Sequence, residues 1–132
     1  MRRIVQAAIG CAAIGAACLV PSSAATAKAG ALSGTWASID NDGSSQTLDI
    51  TGSGQRSYAM FLTDDSATSA CGWAAAKLVG SGTSEGDLLQ MSGALVCLPG
   101  GNVLRGRIGL LFVYSPATDT LTDETGVTWH RS

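Results

Sequence analysis

The sequence predicts an all-β fold, an eight-stranded antiparallel meander closed or nearly closed into a barrel and carrying one disulfide. Three observations lead there. Past residue 30 no apolar periodicity of helical type outlasts a single turn. Short alternating runs recur instead, each bounded by Gly, Asp, Asn, Ser or Pro. Seventeen glycines set against few aromatic residues give the strands many places to bend.

The elements follow in order. Thr35 to Ile39 forms the first strand, and Asp40-Asn41-Asp42-Gly43 supplies turn residues that accept positive φ. The second, Gln46 to Thr51, sets Leu48 and Ile50 on one face against Thr47, Asp49 and Thr51 on the other. Gly52-Ser53-Gly54 turns the chain into a third strand, Ser57 to Thr63, in which Tyr58, Met60 and Leu62 share a face. The longest irregular connection runs from Asp64 to Ala74 through Cys71-Gly72-Trp73. A fourth strand is expected near Ala75 to Gly80, with its hairpin tip at Ser81 to Gly86. The fifth, Asp87 to Leu98, has Leu89, Met91, Leu95 and Cys97 in phase. Pro99-Gly100-Gly101-Asn102 reads as a turn, and Val103 to Tyr114 as a sixth strand. Thr120 to Asp123 and Val127 to Arg131 complete the series.

Eight hairpin-linked strands can make an open sheet, a sandwich or a closed barrel. Closure removes both edges, and at eight strands leaves an interior that side chains fill or that holds one small ligand. A closed barrel is therefore expected. Pairing the fourth and fifth strands about a turn near Ser84 sets Cys71 opposite Cys97, within reach of a disulfide.

The chain opens with Arg2 and Arg3, continues uncharged from Ile4 to Val20, and exits through Pro21 and a small-residue tract. That order is the signature of a secretory signal peptide, and cleavage is expected after Ala27 or as late as Ala29. An uncleaved anchor is the alternative, although the stretch is short for a span and broken by Gly10 and Gly15. Cys11 and Cys18 raise lipidation, but the residues ahead of each only partly match a lipobox. The expected organisation is a leader over 1–27, a flexible mature N-terminus over 28–33 and one barrel domain over 34–132. Export implies a secreted or periplasmic, extracytoplasmic location, where Cys71 and Cys97 would be oxidised. Loss of Arg2 and Arg3 leaves six basic residues against ten acidic ones, a net charge of −4. No basic stripe exists for nucleic acid or anionic lipid.

Motifs for catalysis are missing from the sequence. The chain has a single histidine, His130, which alternates with Trp129 and so faces the opposite side of its strand. No Gly-x-Ser-x-Gly elbow, His-Glu-x-x-His or phosphate-cradling glycine loop occurs. Asp40-Asn41-Asp42-Gly43 resembles part of a calcium loop, yet Ser38 and Asp49 do not fit the remaining ligand positions. A plain hairpin turn is the simpler reading. Asp64 and Asp65 are adjacent, so they point to opposite faces and form a solvated loop entrance.

Gly34-Thr35-Trp36 resembles the Gly-x-Trp opening of the calycins, the lipocalins, avidins and related small barrels. In lipocalins that tryptophan closes the barrel base beneath an arginine from the last strand. The resemblance implies this packing for Gly34, Trp36 and Arg131, and alternation with Val127 and Trp129 places Arg131 on the inner side. The run Ala31-Leu32-Ser33-Gly34-Thr35-Trp36 is also similar to the start of small periplasmic metalloprotease inhibitors, eight-stranded barrels with one disulfide. In that family the N-terminal tail enters the protease cleft.

The resulting expectation is an exported, non-enzymatic, monomeric barrel that binds a small apolar ligand or a protein partner, with no nucleic acid, cofactor or metal. It stays out of the membrane once the leader is removed. Trp73, beside a disulfide that would hold it rigidly, and Asp64 and Asp65 form the expected binding rim. A protease inhibitor acting through its N-terminus and a passive envelope component are the alternatives.

Overall fold

Alternating apolar residues on short strands have one stable use, which is to turn every apolar face toward a shared interior. The computed structural model of the chain, which describes residues 30–53, 56–99 and 106–132, shows this arrangement. The strands are β1 (Gly34–Ile39), β2 (Ser45–Thr51), β3 (Ser57–Asp64), β4 (Ala76–Glu85), β5 (Leu88–Cys97), β6 (Gly106–Ser115), β7 (Thr120–Asp123) and β8 (Thr128–Arg131). Each pairs antiparallel with the next, and β8 returns to β1 through Trp36↔Arg131 and Ala37↔His130, closing the barrel. The leader, residues 100–102 of the predicted turn and the expected start of the sixth strand at 103–105 lie outside the described residues.

Inward positions carry the core. Trp36, Leu48, Leu89, Met91, Phe112 and Leu121 are fully buried, and Trp129 is nearly so. At about 1.5–3 kcal/mol for each large apolar side chain removed from water, these positions dominate the stability of the fold. The aromatic rings meet edge to face: Trp36 and Tyr114 at 6.2 Å and 83°, Phe112 and Trp129 at 5.9 Å and 81°.

The structure corrects the sequence reading of the β4–β5 hairpin. The chain turns at Gly86-Asp87, beyond the expected tip, and Gly86 takes a φ of +59°. Cys97 consequently lies opposite Ala76 rather than Cys71. Cys71 instead ends a one-turn helix, α1 (Thr68–Cys71), inside the connection predicted to be irregular. The disulfide is still Cys71–Cys97, with a Cα–Cα distance of 5.4 Å, but it ties α1 to the end of β5 instead of stapling a ladder. Gly80 and Gly82, expected at or beside the tip, are inward positions of a long bent strand. Gly80 faces Gly93, and a Cβ built on Gly80 would lie 2.6 Å from the Gly93 Cα. The missing side chains let the two strands bend sharply over the core.

Residues 30–33, the described part of the tail expected to be flexible, lie against the base of the barrel. Leu32 is buried in the core, and its carbonyl accepts a hydrogen bond from Trp36 Nε1 at 3.0 Å. Ser33 Oγ donates to the Gly52 carbonyl. The segment docks because the base of the barrel needs an apolar stopper and Leu32 supplies it.

Candidate functional site: one sealed end and one open end

Antiparallel order places the starts of β1, β3, β5 and β7 at one end of the barrel and their ends at the other. The first end is sealed by Arg131. Its guanidinium carbon sits 4.2 Å from the centroid of the Trp36 ring. Nε and Nη2 donate to the two carboxylate oxygens of Asp119 at 2.8 and 3.0 Å. Nη1 donates to the Ser33 carbonyl and Nη2 to the Ala31 carbonyl, both at 2.7 Å. Tyr114 Oη donates to the same Asp119 at 3.0 Å. The guanidinium beside it holds the Asp119 carboxyl below its usual range, while burial and that carboxylate push the Tyr114 phenol up. Gly34 leaves room for this latch: its φ is +140°, and a Cβ there would lie 2.6 Å from Arg131 Nη1. The spacing Gly34, Trp36 and Arg131 therefore has a local physical reason.

Among the described residues the opposite end is open. β7 is four residues long and pairs with β6 only over Phe112 to Ser115, so among the described residues positions 106–111 have no neighbour on that side. The wall is notched there. Ile108 pairs with Gly93 and alternates with Leu110 and Phe112, an inward phase, and yet it is 36% exposed. A cavity of about 210 Å³ opens behind it. Its deep wall is apolar, with Leu62, Leu78, Phe112 and Trp129 all buried.

Carboxylates mark its margin: Asp40 just past β1, Asp64 at the end of β3, Asp123 at the end of β7 and Glu124 in the turn that follows. Gln46 Nε2 lies between the first two, 3.1 Å from Asp40 Oδ2 and 3.4 Å from Asp64 Oδ2, while Gln46 Oε1 accepts from the buried Ser38. Asp123 has a structural task that the sequence reading missed. It accepts from the Thr125 and Val127 amides, from Thr125 Oγ1 and from Trp129 Nε1, so both oxygens are engaged. The rim is braced laterally as well. Thr68 of α1 donates to Asp42, lowering that carboxyl, and Asn41 Nδ2 reaches Thr125 Oγ1 at 3.5 Å.

Of the three expected rim residues, Asp64 lines the cavity, whereas Asp65 and Trp73 do not. Asp65 is exposed, its amide bonded to the Ser45 carbonyl. Trp73 is 71% exposed, with a φ of +75° that bulky residues rarely adopt. Its carbonyl accepts from Ser66 Oγ, and the helix–disulfide unit fixes it on the outer side of the loop. His130 is exposed on β8, paired with Ala37 and Thr120. A larger concavity, about 340 Å³, lies over the β4–β5 hairpin between outward residues such as Thr83, Leu88 and Gln90; it is a surface groove apart from the interior. Among the described residues no three His, Cys, Asp or Glu side chains are grouped to hold a metal ion. No helix among them is long and apolar enough to cross a membrane.

Comparison with known proteins adds no relative: no family model, curated protein or solved structure matches the chain.

Proposed function

We propose that this barrel is an exported, non-enzymatic binding module whose open end receives a small apolar ligand. One observation carries the reading. Ile108 stands in inward phase yet remains partly exposed, because the short β7 leaves the interior accessible beside it. An apolar cavity bordered by a few polar groups is the usual form of a small-molecule site. The disulfide supports an oxidising, extracytoplasmic compartment. The kinship with calycins belongs to this proposal too; its support is the closed eight-stranded barrel with an arginine over the Gly-x-Trp tryptophan. Docking of residues 30–33 in the base leaves a protease-inserting tail only the residues ahead of Gly30.

The test is saturable binding of an environment-sensitive apolar dye. Leu110→Trp, which fills the cavity, should abolish the signal, while Val113→Phe on the outer face should leave it intact. A dye that binds without saturation, or that binds both variants equally, would remove the reading.

A further inference from the structure

The margin of the cavity states what kind of ligand it takes. Among the described residues its polar lining includes four carboxylates, those of Asp40, Asp64, Asp123 and Glu124, and no Lys, Arg or His. Depth separates the two chemistries. Leu62, Leu78, Phe112 and Trp129 are buried at the floor, whereas Asp40, Asp64 and Asp123 are half-buried and Glu124 is exposed. Asp123 is committed to its turn, but among the described residues Asp40 and Asp64 each accept one backbone amide and a share of Gln46 Nε2. A carboxylate offers about four lone-pair sites, so both retain capacity toward the opening. A positive group beside them meets charge-assisted acceptors next to low-dielectric walls, where the attraction is stronger than in water.

We propose that the open end binds small organic cations of about nine non-hydrogen atoms, an apolar body with one ammonium held at the rim beside the Asp40 and Asp64 carboxylates that Gln46 Nε2 bridges. The inference rests on the binding reading above and adds the ligand's charge, orientation and size. The size follows from volume, since a cavity of roughly 150 Å³ accepts benzene and this one is somewhat larger. Orientation excludes a lysine side chain of a protein partner. Such a chain enters charge first and would bury its ammonium against Phe112 and Trp129, leaving its methylenes among the carboxylates. A free amine enters body first.

Calorimetric or fluorescence titration at low salt should compare 2-phenylethylammonium, neutral 2-phenylethanol and the anion phenylacetate, with the disulfide-intact protein. The cation should bind at least tenfold more tightly than the alcohol, phenylacetate should not bind, and the advantage should shrink as salt is raised. Asp64→Asn and Asp40→Asn should each bring the cation down toward the alcohol while leaving the alcohol unchanged. The alcohol thus serves as a folding control within each variant. Equal binding of cation and alcohol overturns this inference and leaves the apolar site standing; failure of all three probes overturns the binding reading itself. Competition by an acetyl-lysyl-amide peptide as effective as the amine would overturn the small-molecule assignment.

Discussion

Gly80 and Gly93 face each other across the β4–β5 ladder, and neither position has room for a side chain. A Cβ on Gly93 would approach the Val79 carbonyl oxygen to 2.6 Å, and one on Gly80 would meet the backbone of Ser92 and Gly93. Gly93→Ala and Gly80→Ala should each destabilise the barrel by about 2 kcal/mol, since the obstruction is backbone and cannot rotate away. Gly106→Ala, with open space around it, should be nearly silent in the same thermal melts. Equal effects at Gly93 and Gly106 would show that the bend does not depend on this close approach.

Arg131 concentrates four hydrogen bonds and a ring contact at the sealed end. Arg131→Ala should destabilise by about 2 kcal/mol and shift tryptophan emission, because Trp36 loses its cover. Arg131→Lys should recover little, a point charge being unable to reproduce the fork. His130→Ala, one position away on the outer face, is the control and should move neither observable.

Reduction, or paired Cys71→Ser and Cys97→Ser changes, should lower stability by about 3.5 kcal/mol in the chain-entropy description, for a loop of sequence separation 26. The loss should be accompanied by early hydrogen exchange in α1 and the Trp73 loop, which the bond anchors to β5. Unaltered exchange there, or two free thiols by alkylation of the untreated protein, would contradict this.

Two carboxyls, Asp119 and Asp42, titrate below their ordinary value in the folded state, Asp119 chiefly through Arg131 and Asp42 chiefly through Thr68. Their contribution is present in full above the ordinary carboxylate range and is lost as pH falls through the lowered values. Asp119→Asn should therefore cost stability at pH 7 and converge with the unaltered protein near pH 2 in urea melts. Asparagine tolerates the φ of +50° at this position, so backbone strain does not confuse the comparison. A gap that persists at pH 2 would mean that the ion pair is not the source.

Seven of the eight strands were legible to within about a residue or two at the described ends, because Gly, Asp and Asn clusters mark real turns. The β4–β5 hairpin was not, since Gly80 and Gly82 have the composition of a turn but serve as inward bends. Composition cannot separate those uses when the partner glycine, Gly93, is distant in sequence. Helix α1 is one turn long, too short for any periodicity to register. At the open end, Leu62 was legible in the alternation of the third strand, while Leu110 and Phe112 fell within the sixth. The notch was latent in the contrast between a four-residue β7 and a long β6, but it becomes an opening only once the pairing register is known. Trp73 was singled out for its proximity to Cys71, while its left-handed backbone left no trace in the sequence.

The joint at the sealed end also sets an order of events. Every other ladder links strands adjacent in the chain, whereas Arg131 meets Ser33 and Ala31 across 98 and 100 positions. The Leu32 stopper and Trp36 precede by far the arginine that covers them, and their apolar faces stay bare until β8 arrives. Closure thus waits on β8, whatever the speed at which the earlier hairpins form. Any delay in delivering β8 would lengthen the interval in which this unfinished barrel can be captured by a chaperone or by a second copy of itself.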